Sequence, residues 1–188
     1  MCASSSEEQL LARARAWEQA ALVEIYDRYS PQIYRLALRV LGDADLAEEC
    51  VAETFSRFLT ALRNGRGPNR HLRGYLYRIA HNWMNDYFRR IRPWPLDPER
   101  EAPGEALTTD PWEAAWRAEA LRRAMAALPP EQRMVLTLRF LEGLRPAEVA
   151  DIMGKSVSAV KVLQHRALRA LRQRLPGFDR SDEVHATD

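Results

Sequence analysis

The sequence predicts an all-α protein in which two small helical domains are joined by an extended linker. Apolar residues recur three and four positions apart along most of the chain, which is the spacing of one face of a helix. No segment shows the alternating pattern of a β-strand, and no internal repeat is present. Residues 93–111 hold five of the eleven prolines, a density at which no helix can continue.

Composition narrows the classes of protein to consider. A chain of 188 residues has room for one domain or two small ones, and 46% hydrophobic with 29% charged residues is a globular composition. The net charge is only +2, so a basic surface must arise from local segregation of charge. Cys2 and Cys50 show neither metal-ligand spacing nor a disulfide framework, which favours a reducing cytosol. Since there is no long apolar run and no signal peptide, we expect a cytoplasmic protein without membrane insertion.

The first predicted domain spans residues 1–92. Helical periodicity predicts helix over residues 10–41, 45–62 and 72–91. The Gly-Asp pair at 42–43 separates the first two stretches, and the glycines and proline of residues 64–69 predict a loop. We expect a break in the last stretch near His81 and Asn82.

A linker and a second domain follow. The linker, residues 93–111, carries five acids and one arginine. Helical periodicity then returns over residues 112–176, which form the predicted C-terminal domain, with Gly143 and two prolines at 129–130 as interruptions. The polar residues 177–188 are expected to form a loose tail.

A helix-turn-helix is predicted within the second domain. A short apolar-faced helix ends near Met153, and Gly154 suits the left-handed position that follows a helix. Ser156 is a good N-cap for the next helix. A short helix, a tight glycine turn and a longer helix together make a helix-turn-helix.

The second helix of this motif is basic. Residues 154–175 carry six lysines and arginines and no acid. On a helical wheel one side is the core face, formed by Val160, Leu163, Ala167, Leu168, Leu171 and Leu175. Exposed positions opposite that face are Ser158, Lys161, Val162, His165, Arg166 and Arg169. A solvated helix face would look similar, but the preceding turn favours insertion into the DNA major groove, where acids would face phosphates.

One position on this helix is unexpected. Gln164 lies at the edge of the core face, where an aliphatic side chain would be easier to bury. A backbone group or a water molecule is its expected partner.

Both halves resemble one known family. Residues 127–175, beginning "ALPPEQRMVLTLRFLEGL", resemble the domain of bacterial sigma-70-type RNA polymerase sigma factors that reads the −35 promoter element. Residues 21–62 and the segment "HLRGYLYRIAHNWMNDYFRR" resemble the domain that reads the −10 element. The resemblance covers about residues 8–175. Without an acidic N-terminal region or a middle domain, this layout is that of the extracytoplasmic-function (group IV) subfamily.

The resemblance implies the contacts of the N-terminal domain. A helix that binds the clamp of core RNA polymerase would contribute Asp45, Glu48, Glu49, Glu53 and Phe55, although an ordinary amphipathic helix with a solvated acidic side would look similar. Residues 70–92 interleave basic and aromatic side chains, which is typical of single-stranded DNA binding. The expected −10 contacts are Arg73, Tyr75, Arg78, His81, Asn82, Asp86, Arg89 and Arg90. Tyr77 and Trp83 are expected in the core.

Asn82 aligns with the loop in which the family captures a flipped base. The alternative role for Asn82 is capping of a helix that begins near Trp83. The two roles are compatible. In the linker, the resemblance implies that Asp97, Glu99, Glu101, Glu105 and Asp110 mimic nucleic acid phosphates inside the polymerase.

The expected function is therefore promoter recognition and strand opening together with core polymerase. The alternative is a stand-alone helix-turn-helix regulator, which would bind duplex DNA unaided. An enzyme is not expected, because the chain has no glycine-rich phosphate loop and no G-x-S-x-G motif, and its histidines lack metal-ligand spacing. No cofactor, metal or small-molecule substrate is expected. Core RNA polymerase, promoter DNA and an anti-sigma protein are the expected partners.

Overall fold

The computed structural model describes residues 3–91 and 111–175. Every regular element within these ranges is helical. The predicted linker, apart from Pro111, and the predicted tail 177–188 lie outside the described residues, as do the five linker acids. The N-terminal half holds α1 (Ala3–Arg15), α2 (Gln19–Leu41), α3 (Ala44–Arg63) and α4 (Leu72–Ile91). The C-terminal half holds α5 (Pro111–Ala126), α6 (Pro130–Leu136), a π-helical turn (Thr137–Leu141), α7 (Pro146–Met153) and α8 (Val157–Arg174).

The predicted interruption after α2 is confirmed. Gly42 adopts a left-handed conformation with φ of 75°, and its N–H donates to the Leu38 carbonyl. The Asp43 side chain then accepts a hydrogen bond of 2.9 Å from the Leu46 N–H and caps α3. A second interruption, between α1 and α2, was not predicted. There Trp17 adopts φ of 58°, a conformation that residues other than glycine rarely take.

The four N-terminal helices enclose a buried core. Ile25 and Ile33 of α2, Phe58 of α3, and Leu76 and Tyr77 of α4 are almost completely buried in it. The prediction that Tyr77 is a core residue is confirmed. Trp83 is only half-buried and packs on the edge of the core, with its ring stacked on that of Tyr87 at 5.8 Å.

Helix α4 is continuous, so the predicted break near His81 and Asn82 is wrong. Ala80 and Met84 are both buried, and they continue the apolar face of the helix across the two polar residues. Asn82 therefore lies in a helix interior. It does not cap a helix at Trp83.

The C-terminal half packs α6 and α7 against α8. Leu128, Leu136 and Ala167 form a small buried cluster, while Val149 and Ile152 of α7 join the larger core that continues into the N-terminal half. Helix α7 lies against α4. The two halves therefore share a buried interface.

Candidate nucleic-acid interface

The predicted helix-turn-helix is present. Gly154 ends α7 with φ of 62°, and its N–H donates to the Ala150 carbonyl, which also accepts from the Lys155 N–H at 3.0 Å. The Ser156 side chain accepts from the Ala159 N–H at 3.2 Å and caps α8. This turn fixes the direction in which α8 leaves α7.

A hydrogen bond from the backbone to a side chain anchors the start of α7. The Glu148 carboxylate accepts from the Arg145 N–H at 2.7 Å, in the manner of a capping box. That backbone hydrogen bond, together with the Arg145 side chain, lowers the pKa of Glu148 below its usual value. Both helices of the motif are thus capped locally.

The outer face of α8 is free to contact a ligand. Each of the six positions predicted for −35 contacts is exposed: Ser158, Lys161, Val162, His165, Arg166 and Arg169. Val160 and Ala167 are fully buried on the opposite face, as the wheel predicts. Val162 is 49% exposed, which makes it an apolar group among cations and suited to a thymine methyl. That these six side chains contact DNA stays a prediction.

Gln164 has a side-chain partner rather than the expected backbone or water partner. Its Oε1 accepts from Nε of Arg139 at 3.1 Å. The Arg139 guanidinium also donates to the Leu144 carbonyl, and it lies 5.9 Å from the centre of the Phe140 ring. Arg139 therefore links the π-helical turn, the loop before α7 and α8.

The predicted −10 residues are distributed unevenly over α4. Arg78, Asn82, Arg89 and Arg90 are exposed, and Arg73, Tyr75 and Asp86 are half-buried. His81 is only 5% exposed, and Glu131 and Met134 of the C-terminal half line the same small cavity. In this arrangement His81 cannot contact DNA. Burial lowers the pKa of His81 below its usual value, so the imidazole is neutral at neutral pH.

The acidic side of α3 is largely accessible. Asp45, Glu48 and Glu49 are exposed, while Glu53 is half-buried and accepts from Nε of Arg57 at 2.6 Å. Phe55 does not belong to this surface, since it is 7% exposed and its ring is covered by that of Tyr26, 4.8 Å away. The prediction that Phe55 contacts a partner is not supported by its position.

The described ranges contain neither a metal-ion site nor a membrane-spanning helix. In residues 3–91 and 111–175, no group of three or more histidines, cysteines and acids is placed to hold a metal ion. No helix within the same two ranges is long and apolar enough to cross a membrane. Burial raises the pKa of the Cys50 thiol to about 12, so this group is not a reactive thiolate.

Fold and sequence together define a protein of the sigma-70 class. The family Sigma-70 region 2 matches residues 25–93, and Sigma-70, region 4, matches residues 118–171. The chain is 35% identical over 176 residues to the ECF RNA polymerase sigma factor BldN of Streptomyces coelicolor, covering 89% of this chain and 65% of BldN. It is 30% identical over 178 residues to SigW of Bacillus subtilis, covering 88% of this chain and 94% of SigW. The chain belongs to the ECF RNA polymerase sigma factors.

A solved structure shows the same fold. CnrH, determined in complex with the cytosolic domain of CnrY, superposes with a TM-score of 0.65 at 24% identity. The match covers 88% of this chain and 94% of CnrH.

Proposed function

We propose that this protein binds core RNA polymerase, recognises the −35 and −10 promoter elements and promotes strand opening at the start of transcription. The observation that carries the proposal is the pairing of region 2 and region 4 in one chain, with every predicted −35 position exposed on a capped recognition helix. The C-terminal half would read the −35 element, and the N-terminal half would bind polymerase and the −10 element. The chain would act in the cytoplasm and leave the chemistry of RNA synthesis to the polymerase.

The acidic surface of α3 is the proposed polymerase contact. Asp45, Glu48 and Glu49 are exposed within the first two turns of α3 and present three carboxylates to solvent. A basic surface on the polymerase would be attracted to them, most strongly at low salt. An anti-sigma protein is a further proposed partner, and family membership is its support.

Reconstituted transcription tests the proposal. The chain and core polymerase together should protect a −35 and −10 promoter from nuclease and produce a defined transcript. The chain alone should bind duplex DNA weakly. If it protects a duplex site unaided and core polymerase adds nothing, the stand-alone regulator is the correct function.

Strand opening has a separate test at Asn82. The side chain is exposed on α4, carries a donor and an acceptor, and has no capping role. Asn82→Ala should leave core binding intact and reduce permanganate reactivity of unpaired thymines at −10. A template already mismatched at −10 should restore activity, because the cost of unstacking, a few kcal/mol, is then removed. Equal permanganate reactivity in the variant and the wild type would exclude Asn82 from base capture.

A further inference from the structure

Helix α1 lies before the residues that match Sigma-70 region 2, yet it is built into the N-terminal half. Leu10, Leu11 and Ala14 are at most 3% exposed and belong to the same core as α2, α3 and α4. Glu7 precedes Leu11 by four positions and Ala14 by seven, so it lies on the same inward face, and its side chain is half-buried. An acid on the buried face of a helix requires hydrogen-bond partners.

The partners of Glu7 lie in α2 and α4. Its Oε1 accepts from the Leu72 N–H, the first amide of α4, at 3.0 Å, and its Oε2 accepts from the Tyr29 hydroxyl at 3.2 Å. Burial, together with the Glu7 carboxylate, raises the pKa of Tyr29 above its usual value, so the hydroxyl stays a donor at neutral pH. Glu7 thus supplies from another helix the acceptor that an N-cap side chain usually supplies.

Local residues give little stability to the start of α4. The preceding residue, His71, adopts φ of 56°, whereas an N-cap residue is usually extended. The first turn contains no acid to interact with the helix dipole, and Gly74 within it has a low helix propensity. The Tyr75 N–H donates to the His71 carbonyl at 3.0 Å and closes this turn. The turn that carries Tyr75 therefore depends on the acceptor from α1.

The other end of α1 holds the loop that leads into α4. Nη2 of Arg15 donates to the carbonyl of the buried Pro68 at 2.6 Å. The same nitrogen also donates to the Gly67 carbonyl at 3.3 Å and to Oδ1 of Asn69. Helix α1 is therefore bound at both of its ends to residues 67–72.

The segment that α1 holds leads directly into residues predicted to contact the −10 element. Tyr75 lies in the first turn of α4, and Arg78 lies one turn later. Tyr75 is half-buried, and its ring packs edge-on against that of Phe58 at 6.4 Å. Because a side chain follows its backbone, fraying of the first turn would change the direction in which Tyr75 points.

We propose that α1 is a positioning element of the −10 surface, in which Glu7 caps α4 and Arg15 fixes the loop before it. The inference rests on the proposed function, which brings the −10 element to α4. Neither residue contacts DNA in this proposal. Each acts through the backbone of residues 67–72, which sets the orientation of the first turn of α4.

Amide hydrogen exchange in the full chain tests the cap without polymerase or DNA. Glu7→Met removes the acceptor, and exchange at Leu72 and Tyr75 should become about fivefold faster, the effect of losing a typical N-cap. Glu7→Gln keeps an acceptor oxygen and should restore slow exchange. The Leu46 N–H, which Asp43 caps in α3, is the internal reference. Unchanged exchange at Leu72 in Glu7→Met, or an equal increase at Leu46, would overturn the role of Glu7.

Open-complex formation with core polymerase tests the link to the −10 element, on a promoter that the wild type selects from a random pool. Permanganate reactivity of unpaired thymines should fall by as much as about fivefold in Glu7→Met, because DNA binding must then order the first turn of α4. Glu7→Gln should restore the reactivity. Glu8→Met is the matched control, because it removes the same charge from α1 but its partner, Arg70, is exposed. Binding to core polymerase should be equal in all of these variants.

Arg15→Gln provides a second variant at an exposed position, and it does not depend on the folding of Glu7→Met. It should reduce permanganate reactivity in the same direction. Arg13→Gln is its control, because the partners of Arg13 are Glu18 and Glu24. Open complexes equal to those of the wild type in Glu7→Met and Arg15→Gln would overturn positioning by α1, even where exchange in α4 increases. Failure of core-dependent transcription by the wild type would refute the proposed function instead, and the exchange measurement would still test the cap.

Discussion

Replacing Arg133 with methionine should destabilise the protein by about 2–4 kcal/mol. Arg133 is 8% exposed, and its guanidinium donates to the carbonyls of Val40 at 2.5 Å and Leu128 at 3.1 Å and to that of Ala126. Val40 and Ala126 lie at the C-terminal ends of α2 and α5, where carbonyls have no partner within the helix. The cation also interacts favourably with the negative ends of both helix dipoles.

The magnitude follows from two opposing effects. Each buried carbonyl left without a donor costs about 1–3 kcal/mol; the bonds to Val40 and Leu128 are buried, and the bond to Ala126 is partly buried. Against this, burial lowers the pKa of Arg133, which shows that the cation itself is costly to bury, and methionine removes that cost. Methionine also fills most of the volume of the arginine stem, so a cavity adds little.

Urea unfolding followed by far-UV circular dichroism measures the effect. Arg57→Met is the control, because Arg57 is exposed and its ion pair with Glu53 is expected to contribute less than about 0.5 kcal/mol. Arg133→Lys keeps the positive charge but loses the planar guanidinium and its several N–H donors. Its stability should lie between that of Arg133→Met and that of the wild type. If Arg133→Met unfolds at the same urea concentration as the control, the three carbonyls do not depend on this guanidinium and the reasoning is wrong.

Three further predictions concern the promoter, the polymerase and pH. Arg166→Ala should weaken promoter binding by about 1–3 kcal/mol and relax the preference for the −35 sequence. Arg172→Ala should instead weaken binding to all sequences alike. Selection from a random promoter pool measures both, and an unchanged −35 preference in Arg166→Ala would show that the assignment of Arg166 is wrong. Charge reversal at Glu49 and Glu53 should weaken binding to core polymerase, most at low salt, in a protein whose circular dichroism is unchanged; normal binding would place the contact elsewhere. Because burial lowers the pKa of His81, the unfolded chain binds a proton at a higher pH than the folded protein does. The free energy of unfolding should therefore fall as the pH drops below about 6.5. His81→Asn should reduce that fall, as measured by urea titrations at neutral and mildly acidic pH.

The helix-turn-helix could be predicted because its signals are local. Gly154 adopts the left-handed conformation for which glycine is suited, and Ser156 accepts from an N–H three residues later. Each residue acts on neighbours within one turn of helix. Secondary structure at such positions depends little on the rest of the molecule.

One unpredicted helix end and one wrongly predicted break show where local signals mislead. Trp17 ends α1 in a left-handed conformation without any glycine or proline nearby, so no residue type indicated the break. His81 and Asn82 are both polar and suggested a break, but the buried residues on either side keep α4 helical. In α4, tertiary packing outweighs a weak local preference.

Burial of Phe55 could have been predicted from spacing alone. Val51, Phe55, Phe58 and Leu62 follow a pattern of four, three and four residues, and all four are buried. Grouping Phe55 with the neighbouring acids ignored that pattern. Glu49 and Glu53 lie on the other side of the same helix.

Glu142 could not have been predicted, because its partners are distant in sequence. The acid lies 69 residues from Arg73 and 103 from Arg39, in a turn where an exposed carboxylate is the ordinary expectation. Its burial depends on the packing of one half against the other. The same packing covers His81, so two residues of the basic, aromatic helix α4, Arg73 and His81, are engaged by the C-terminal half in this arrangement. Four other predicted −10 residues of α4 stay exposed in the same arrangement, so the composition of a helix does not show which of its residues the packing of the two halves will cover.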